Sequence, residues 1–137
     1  MNAMRDILNQ INNTWNTHDL DKLVSFYAAD YEGKDIGLSQ TFYGQSGARE
    51  MAAGYYRTFP DLSFTLTQTI IENDCAALSW ISYGTHRGKI MNIPPTGRSI
   101  KVNGLTTLQI RDGLIVRSSV LWDVAGLLRD IGLLPDL

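Results

Sequence analysis

Apolar residues recur at spacings of three and four at the start of the chain. Met4, Ile7, Leu8, Ile11 and Trp15 draw one stripe, which predicts an amphipathic helix. "NTHDLDKLVSFYAADY" restarts the pattern after a short break. Asp19 suits the N-cap, and Leu20, Leu23, Val24 and Tyr27 form the stripe of a second short helix. "YEGKDIGLSQTFYG" mixes glycines with alternating polarity and reads as an irregular strand or loop. A third helix is expected from about Ser46, its cap, to Phe59. Met51, Ala52, Tyr55, Tyr56 and Phe59 lie on or beside one face, and Pro60 stops it.

From Leu62 the period changes to two. "LSFTLTQTII" alternates apolar and polar side chains, as a half-buried strand does. "END" makes a turn, "CAALSWISYGTH" is the next strand, and "GKIMNIPPTGRS" is a long connection. "IKVNGLTTLQI", "RDG" and "LIVRSSVLWD" together read as a hairpin. After Asp123 a last helix places Val124, Leu127, Leu128 and Ile131 on one face, with Gly132 as its stop. Helices first, then an antiparallel sheet, then one closing helix make an α+β domain. No repeat, linker or low-complexity tract divides it, so residues 1–137 are expected to form a single domain.

Composition narrows the function classes. Twelve basic and fourteen acidic residues leave a net charge of −2, which supplies no general field for nucleic acid or an anionic membrane. The charges are unevenly spread. Arg87, Lys89, Arg98, Lys101 and Arg111 fall in an acid-free stretch between Asp74 and Asp112, a pattern that suits a solvated basic surface or the steering of a small anion. The single Cys75 excludes an intrachain disulfide and suits a reducing compartment. Its neighbour Asp74 would raise the thiol pKa and make it a poor nucleophile. No signal-peptide pattern opens the chain, and no apolar run approaches the roughly 18–20 residues of a membrane span, so a cytoplasmic protein is expected. The two histidines and one cysteine do not make a zinc pattern, and neither GxGxxG nor a P-loop is present. No metal site and no cofactor are therefore expected.

"GTHRGKIMNIPPTGRSIKVNG", "FPDL" and "IRDGLIVRSSVLWDVAGLLRDIGLLP" resemble the SnoaL-like polyketide cyclase family. "NTWNTHDLDKLVSFYAADY" is similar to the opening helices of the cone-shaped superfamily that also holds ketosteroid isomerase and scytalone dehydratase. The resemblance implies a strongly curved antiparallel sheet wrapped around helices with an internal cavity. It also implies a homodimer or homotetramer assembled through the sheet, and a small hydrophobic ligand. In the cyclases an acid at the position of Asp123 is the general acid/base of an intramolecular aldol closure, assisted by a histidine on the neighbouring strand. Here that histidine position is Gln109, which can donate a hydrogen bond but cannot relay a proton near neutrality. Altered chemistry is expected rather than the cyclase reaction itself.

Whether Gln109 can meet Asp123 depends on the hairpin register. A two-residue Asp112-Gly113 turn pairs Gln109 with Val116 and sends Asp123 to the opposite face. A three-residue Arg111-Asp112-Gly113 loop with a bulge pairs Gln109 with Ile115 and sets Gln109, Thr107, Ser119, Leu121 and Asp123 on one face. The resemblance favours the second. Asp123 also stands where an ordinary helix N-cap stands, and both roles remain open. Leu121, Trp122 and Val124 around it would desolvate a carboxylate and raise its pKa toward proton-transfer duty. His86, at a strand end and at a position where the family often has histidine, is a second candidate catalytic or substrate-orienting group, or else a satisfied structural residue. His18, in a helix–helix turn, is expected to be exposed or capping.

Gln109 and Thr107 are candidate substrate contacts. Trp15, Tyr27, Tyr55, Phe59, Trp80 and Met91, with Tyr56 beside them, are candidate walls for a flat aromatic ligand. The expectation is a cofactor-independent aldol cyclase or isomerase-like protein acting on a small hydrophobic carbonyl compound. The alternatives are a non-catalytic pocket for a hydrophobic metabolite and a hydroxylase-type tailoring protein.

Overall fold

Both N-terminal stripes fold as their spacing predicts, with one boundary moved. The computed structural model describes residues 3–137. Helix α1 (Ala3–Thr17) buries Leu8 and Ile11 and packs Met4, Ile7 and Trp15 against the same core. Helix α2 (Leu20–Val24) starts at Asp19, whose carboxylate accepts the Lys22 N–H at 3.1 Å. It ends before Tyr27, contrary to the helical stripe expected through that residue. Tyr27 instead opens strand β1 (Tyr27–Asp35), where it is buried and pairs with Ile115 of a distant strand. The tertiary ladder outweighs the local period there.

Of the two readings of "YEGKDIGLSQTFYG", irregular strand or loop, the structure takes the strand, broken by a turn at 36–39. Strand β1 runs to Asp35, and β2 (Gln40–Tyr43) returns antiparallel to it. The inward positions are Tyr31, Gly33 and Asp35, all buried, so only one of the three is large and apolar and no alternation shows in the sequence. Helix α3 (Gly44–Thr58) begins earlier than expected. Tyr43 holds the N-cap position without a side-chain cap, and Gly44 at φ +66° turns the chain from strand into helix. Ser46 thus lies in the first turn and is not the cap.

The remaining strands are β3 (Ser63–Glu72), β4 (Cys75–Thr85), β5 (Ser99–Arg111) and β6 (Leu114–Trp122), followed by helix α4 (Val124–Asp130). They join in one six-stranded sheet of order β2-β1-β6-β5-β4-β3. The sheet is mixed, not wholly antiparallel, because β1 runs parallel to β6. Helix α3 carries the chain from β2 at one edge to β3 at the other, and the meander β3 to β6 then ends beside β1.

The β5–β6 hairpin takes neither register foreseen from sequence. Its turn is the short one, with Asp112 at φ +53° and Gly113 at φ +76° between the paired Arg111 and Leu114. That is the primed geometry which suits the right-handed twist of a hairpin. A bulge follows, because Ile110 pairs with Ile115 whereas Gln109 pairs with Arg117. The extra residue, Val116, lets Ile115 and Ser118 both face inward. Gln109, Thr107, Ser119 and Leu121 do share one face, but it is the outer one.

Candidate functional site

Helices α1, α3 and α4 and five of the strands line a cavity of about 130 Å³. That is comparable with cavities that accept a single six-membered ring, for which about 150 Å³ suffices for benzene. Leu8, Ile11 and Trp15 come from α1, and Tyr27 opens β1 at the wall. Met51 and Tyr55 come from α3, with Phe59 and Leu62 just beyond it. Inward residues of the meander complete it, among them Phe64, Trp80, Val102, Leu108 and Trp122. The predicted walls Trp15, Tyr27, Tyr55, Phe59 and Trp80 are therefore all cavity residues. Among the described residues, no Lys, Arg, His, Asp or Glu lines the space directly. Its polar groups are few and neutral: Asn12, Ser82, Thr106, Ser118 and the Tyr and Trp heteroatoms.

One acid stands immediately behind this wall. Asp35, at the last position of β1, is completely buried. Its carboxylate accepts the Tyr55 hydroxyl, the Trp122 Nε1–H at 2.8 Å and the Leu38 N–H at 2.9 Å. Among the described residues, neither ion pair at Asp21 nor Asp30 involves it, and no cation balances it. A buried carboxylate held only by neutral donors is expensive to keep, and such groups concentrate at functional sites. Tyr55 and Trp122 line the cavity, so two of the three donors connect Asp35 to it. Burial, reinforced by the Asp35 charge, holds the Tyr55 pKa well above the ordinary tyrosine value. Burial does the same for Tyr27, and it pushes Tyr56 up to about 12. These phenols remain protonated donors throughout the neutral range.

The acid singled out from sequence stands elsewhere. Asp123 is exposed and caps α4, accepting the Gly126 N–H at 2.9 Å. Its own N–H donates to the Asn103 carbonyl at 3.0 Å. Gln109 and Thr107 lie on the outer face, where Gln109 donates to Asp74 at 3.2 Å, so neither touches the cavity. Asp123 and Gln109 are consequently not brought together inside it. Met91 is also outside, in a left-handed turn with Asn92 at φ +47° and +63°, whereas its neighbour Ile90 does line the cavity. Tyr56 donates to the Trp15 carbonyl at 2.8 Å and stacks on His18, which in turn bonds the Leu62 carbonyl at 2.6 Å. That aromatic pair fastens α1 to α3. Cys75 is exposed, and its hydrogen bond to Asp74 raises the thiol pKa as expected.

His86 is completely buried where β4 meets the long connection, outside the cavity lining. Its Nδ1 accepts the Thr96 N–H at 3.2 Å, which places the neutral ring's proton on Nε2. Burial pushes its pKa below 6.5, with the Gly88 backbone opposing in part. The unfolded chain thus binds a proton more readily than the folded one. Stability from this group is complete above about pH 6.5 and is lost as pH falls toward the lower folded pKa. Urea unfolding of the wild-type chain should show a larger drop between pH 7.5 and 5.5 than that of His86→Gln. Equal drops in the two proteins would remove His86 from the acid response.

N-terminal helices, one large sheet and a short closing helix are the α+β architecture anticipated from the sequence motifs. The SnoaL-like polyketide cyclase family model matches residues 5–131. The chain belongs to this family. Among solved structures, TsrD from Streptomyces laurentii is 25% identical with a TM-score of 0.84, covering 98% of this chain and 99% of its own. A SnoaL-like polyketide cyclase from Agrobacterium tumefaciens is 22% identical with a TM-score of 0.82, covering 96% and 100%. A protein of ketosteroid isomerase-like fold from Catenulispora acidiphila, in complex with trimethylamine, is 18% identical with a TM-score of 0.82, covering 93% of each chain. This SnoaL-like chain thus has the ketosteroid isomerase-like fold. No curated protein sequence matches it significantly. Among the described residues, no helix is long and apolar enough to cross a membrane.

Sequence reasoning missed Asp35, the residue on which the site turns. No local signal marks it: of the inward positions Tyr31, Gly33 and Asp35 only the first is large, and the tyrosine and tryptophan that donate to Asp35 lie far off in sequence.

Proposed function

We propose that this SnoaL-like protein binds a small hydrophobic carbonyl compound in the cavity and catalyses cofactor-independent proton transfer at the carbon beside the carbonyl. The observation that carries this reading is the buried Asp35 carboxylate, without a cation, joined to the cavity through Tyr55 and Trp122. A carbonyl oxygen arriving at Tyr55 competes with Asp35 for the phenol proton. When the hydroxyl turns to the substrate, the Asp35 oxygen it leaves is free to accept the α-proton. The C–H electron pair moves into the enolate, whose oxygen takes the Tyr55 hydrogen bond. Return of the proton at another carbon gives isomerisation, and attack of the enolate on a second carbonyl gives ring closure. The high Tyr55 pKa suits a group that donates a hydrogen bond without surrendering its proton.

Acetophenone is a suitable probe, because deuterium uptake at its methyl group in D2O reports enolisation directly by NMR. Wild-type protein should accelerate that uptake over buffer. Tyr55→Phe should lose at least ten-fold of the acceleration, and Asp123→Asn should keep it. A wild-type protein that binds the ketone without accelerating uptake would overturn the catalytic reading. A second reading, a non-catalytic pocket for a hydrophobic metabolite, has its own support: Asp35 is fully buried and does not itself line the cavity. Binding without exchange is the outcome that selects it.

A further inference from the structure

The cavity is small for a domain whose sheet spans six strands. One large, fixed side chain stands among its walls. Trp80, in the middle of β4, points inward and is only 9% exposed. Its partner across the β4–β5 ladder is Gly104, the one glycine among the cavity-facing positions of β5. A Cβ at Gly104 would lie 2.2 Å from the far ring carbons of Trp80, so the indole lies flat over bare backbone. No larger residue fits beneath it. The indole is also fixed in direction. Its Nε1–H donates to the Thr106 hydroxyl at 2.9 Å, and Phe64 meets its ring edge-to-face at 5.2 Å. Trp15 extends the same aromatic stack through Phe64 at 5.5 Å.

We infer that Trp80, seated on Gly104 and held by Thr106, is the specificity-determining residue that limits this cavity to single-ring carbonyl compounds and rejects fused polycyclic ones. The inference rests on the carbonyl-binding reading above and names its substrate class. The physical reason is rigidity. A freely rotating side chain would yield to a larger ligand, but this one has a hydrogen bond, an aromatic neighbour and a backbone floor holding it in place. With no charged side chain on the lining, the accepted compound is also neutral.

Equilibrium dialysis against acetophenone and 2-acetylanthracene tests this. Wild-type protein should bind acetophenone at least ten-fold more tightly than the three-ring ketone. Trp80→Ala should reverse that preference, gaining at least ten-fold for acetylanthracene while losing affinity for acetophenone. Gly104→Ala, which drives the indole into the cavity, should weaken both ligands. Should Trp80→Ala fold poorly, Trp80→Phe, which keeps the Phe64 contact, should still shift the ratio several-fold toward acetylanthracene. A wild-type protein that takes acetylanthracene as readily as acetophenone would overturn the inference, as would an unchanged ratio in the Trp80 variants. If wild-type protein still accelerates deuterium uptake while the ratio stays flat, the size rule fails alone. If neither ketone binds, the size rule falls together with the carbonyl-binding reading.

Discussion

Asp35→Ala should lower unfolding stability by about 3 kcal/mol or more, because each buried donor left without a partner costs roughly 1–3 kcal/mol. Three donors would be stranded at once: the Tyr55 hydroxyl, the Trp122 indole N–H and the Leu38 N–H. The site is fully buried, so bulk water cannot replace the carboxylate without opening the wall. Asp35→Asn separates stability from chemistry. Its amide oxygen can still accept hydrogen bonds and its volume is nearly unchanged, so its stability should fall between those of the wild type and Asp35→Ala. It cannot accept a proton as a carboxylate does, so deuterium uptake by acetophenone should fall to the buffer rate in both variants. Urea denaturation and the NMR exchange assay read the two effects independently. An Asp35→Asn protein with wild-type exchange would remove Asp35 from the proposed chemistry, whatever its stability.

The second large effect is expected where α4 closes on the cavity wall. Leu127 on α4 is 1% exposed, lines the cavity and packs with Phe59, Leu62, Ile100, Val102 and Ile131. Leu127→Ala should cost about 2–5 kcal/mol, as buried leucine truncations do. The upper half of that range is expected, because the vacated volume adjoins an existing cavity and the short helix has few other anchors. Those anchors are the Asp123 cap, the Asp130 carboxylate accepting the Lys101 N–H at 2.9 Å, and Ile131. Urea unfolding measures the loss, and a cost below about 1 kcal/mol would mean that α4 repacks over the gap. Retained binding of acetophenone by the variant would show that the ring site lies deeper than this closure.

Asp123 and Asp35 show how local and tertiary information divide. Asp123 carries a strong local signal, standing between an apolar strand and an apolar helix stripe, and that signal is honoured locally: it caps the helix. Its apolar neighbours in sequence suggest burial, but those neighbours point to different faces. Leu121 is exposed on the outer face, and Trp122 turns inward. Asp35 has no such signal. Its neighbours Lys34 and Ile36 are unremarkable, and although the Leu38 N–H is local, the two side-chain donors come from positions 20 and 87 residues away. Proximity of that kind is made by the crossing of α3 and by the return of β6 beside β1, both long-range events.

Local sequence determined the helical faces, the meander, the helix cap at Asp19 and the aromatic character of the cavity wall. Each of these depends on contacts within a few residues or on a side-chain period that any partner surface would respect. The parallel pairing of β1 with β6, the bulge at Val116 and the burial of Asp35 were decided only by the tertiary structure. A one-residue change of register exchanges the two faces of a strand, and the sequence of a single hairpin carries too little energy difference to select between them. The closing of the sheet around α1 and α3 makes that selection, because only one register puts Ile115, Ser118, Val120 and Trp122 together against the core. With that register set, Gln109 is turned outward, Trp122 is aimed at Asp35, and the acid with access to the cavity wall is Asp35.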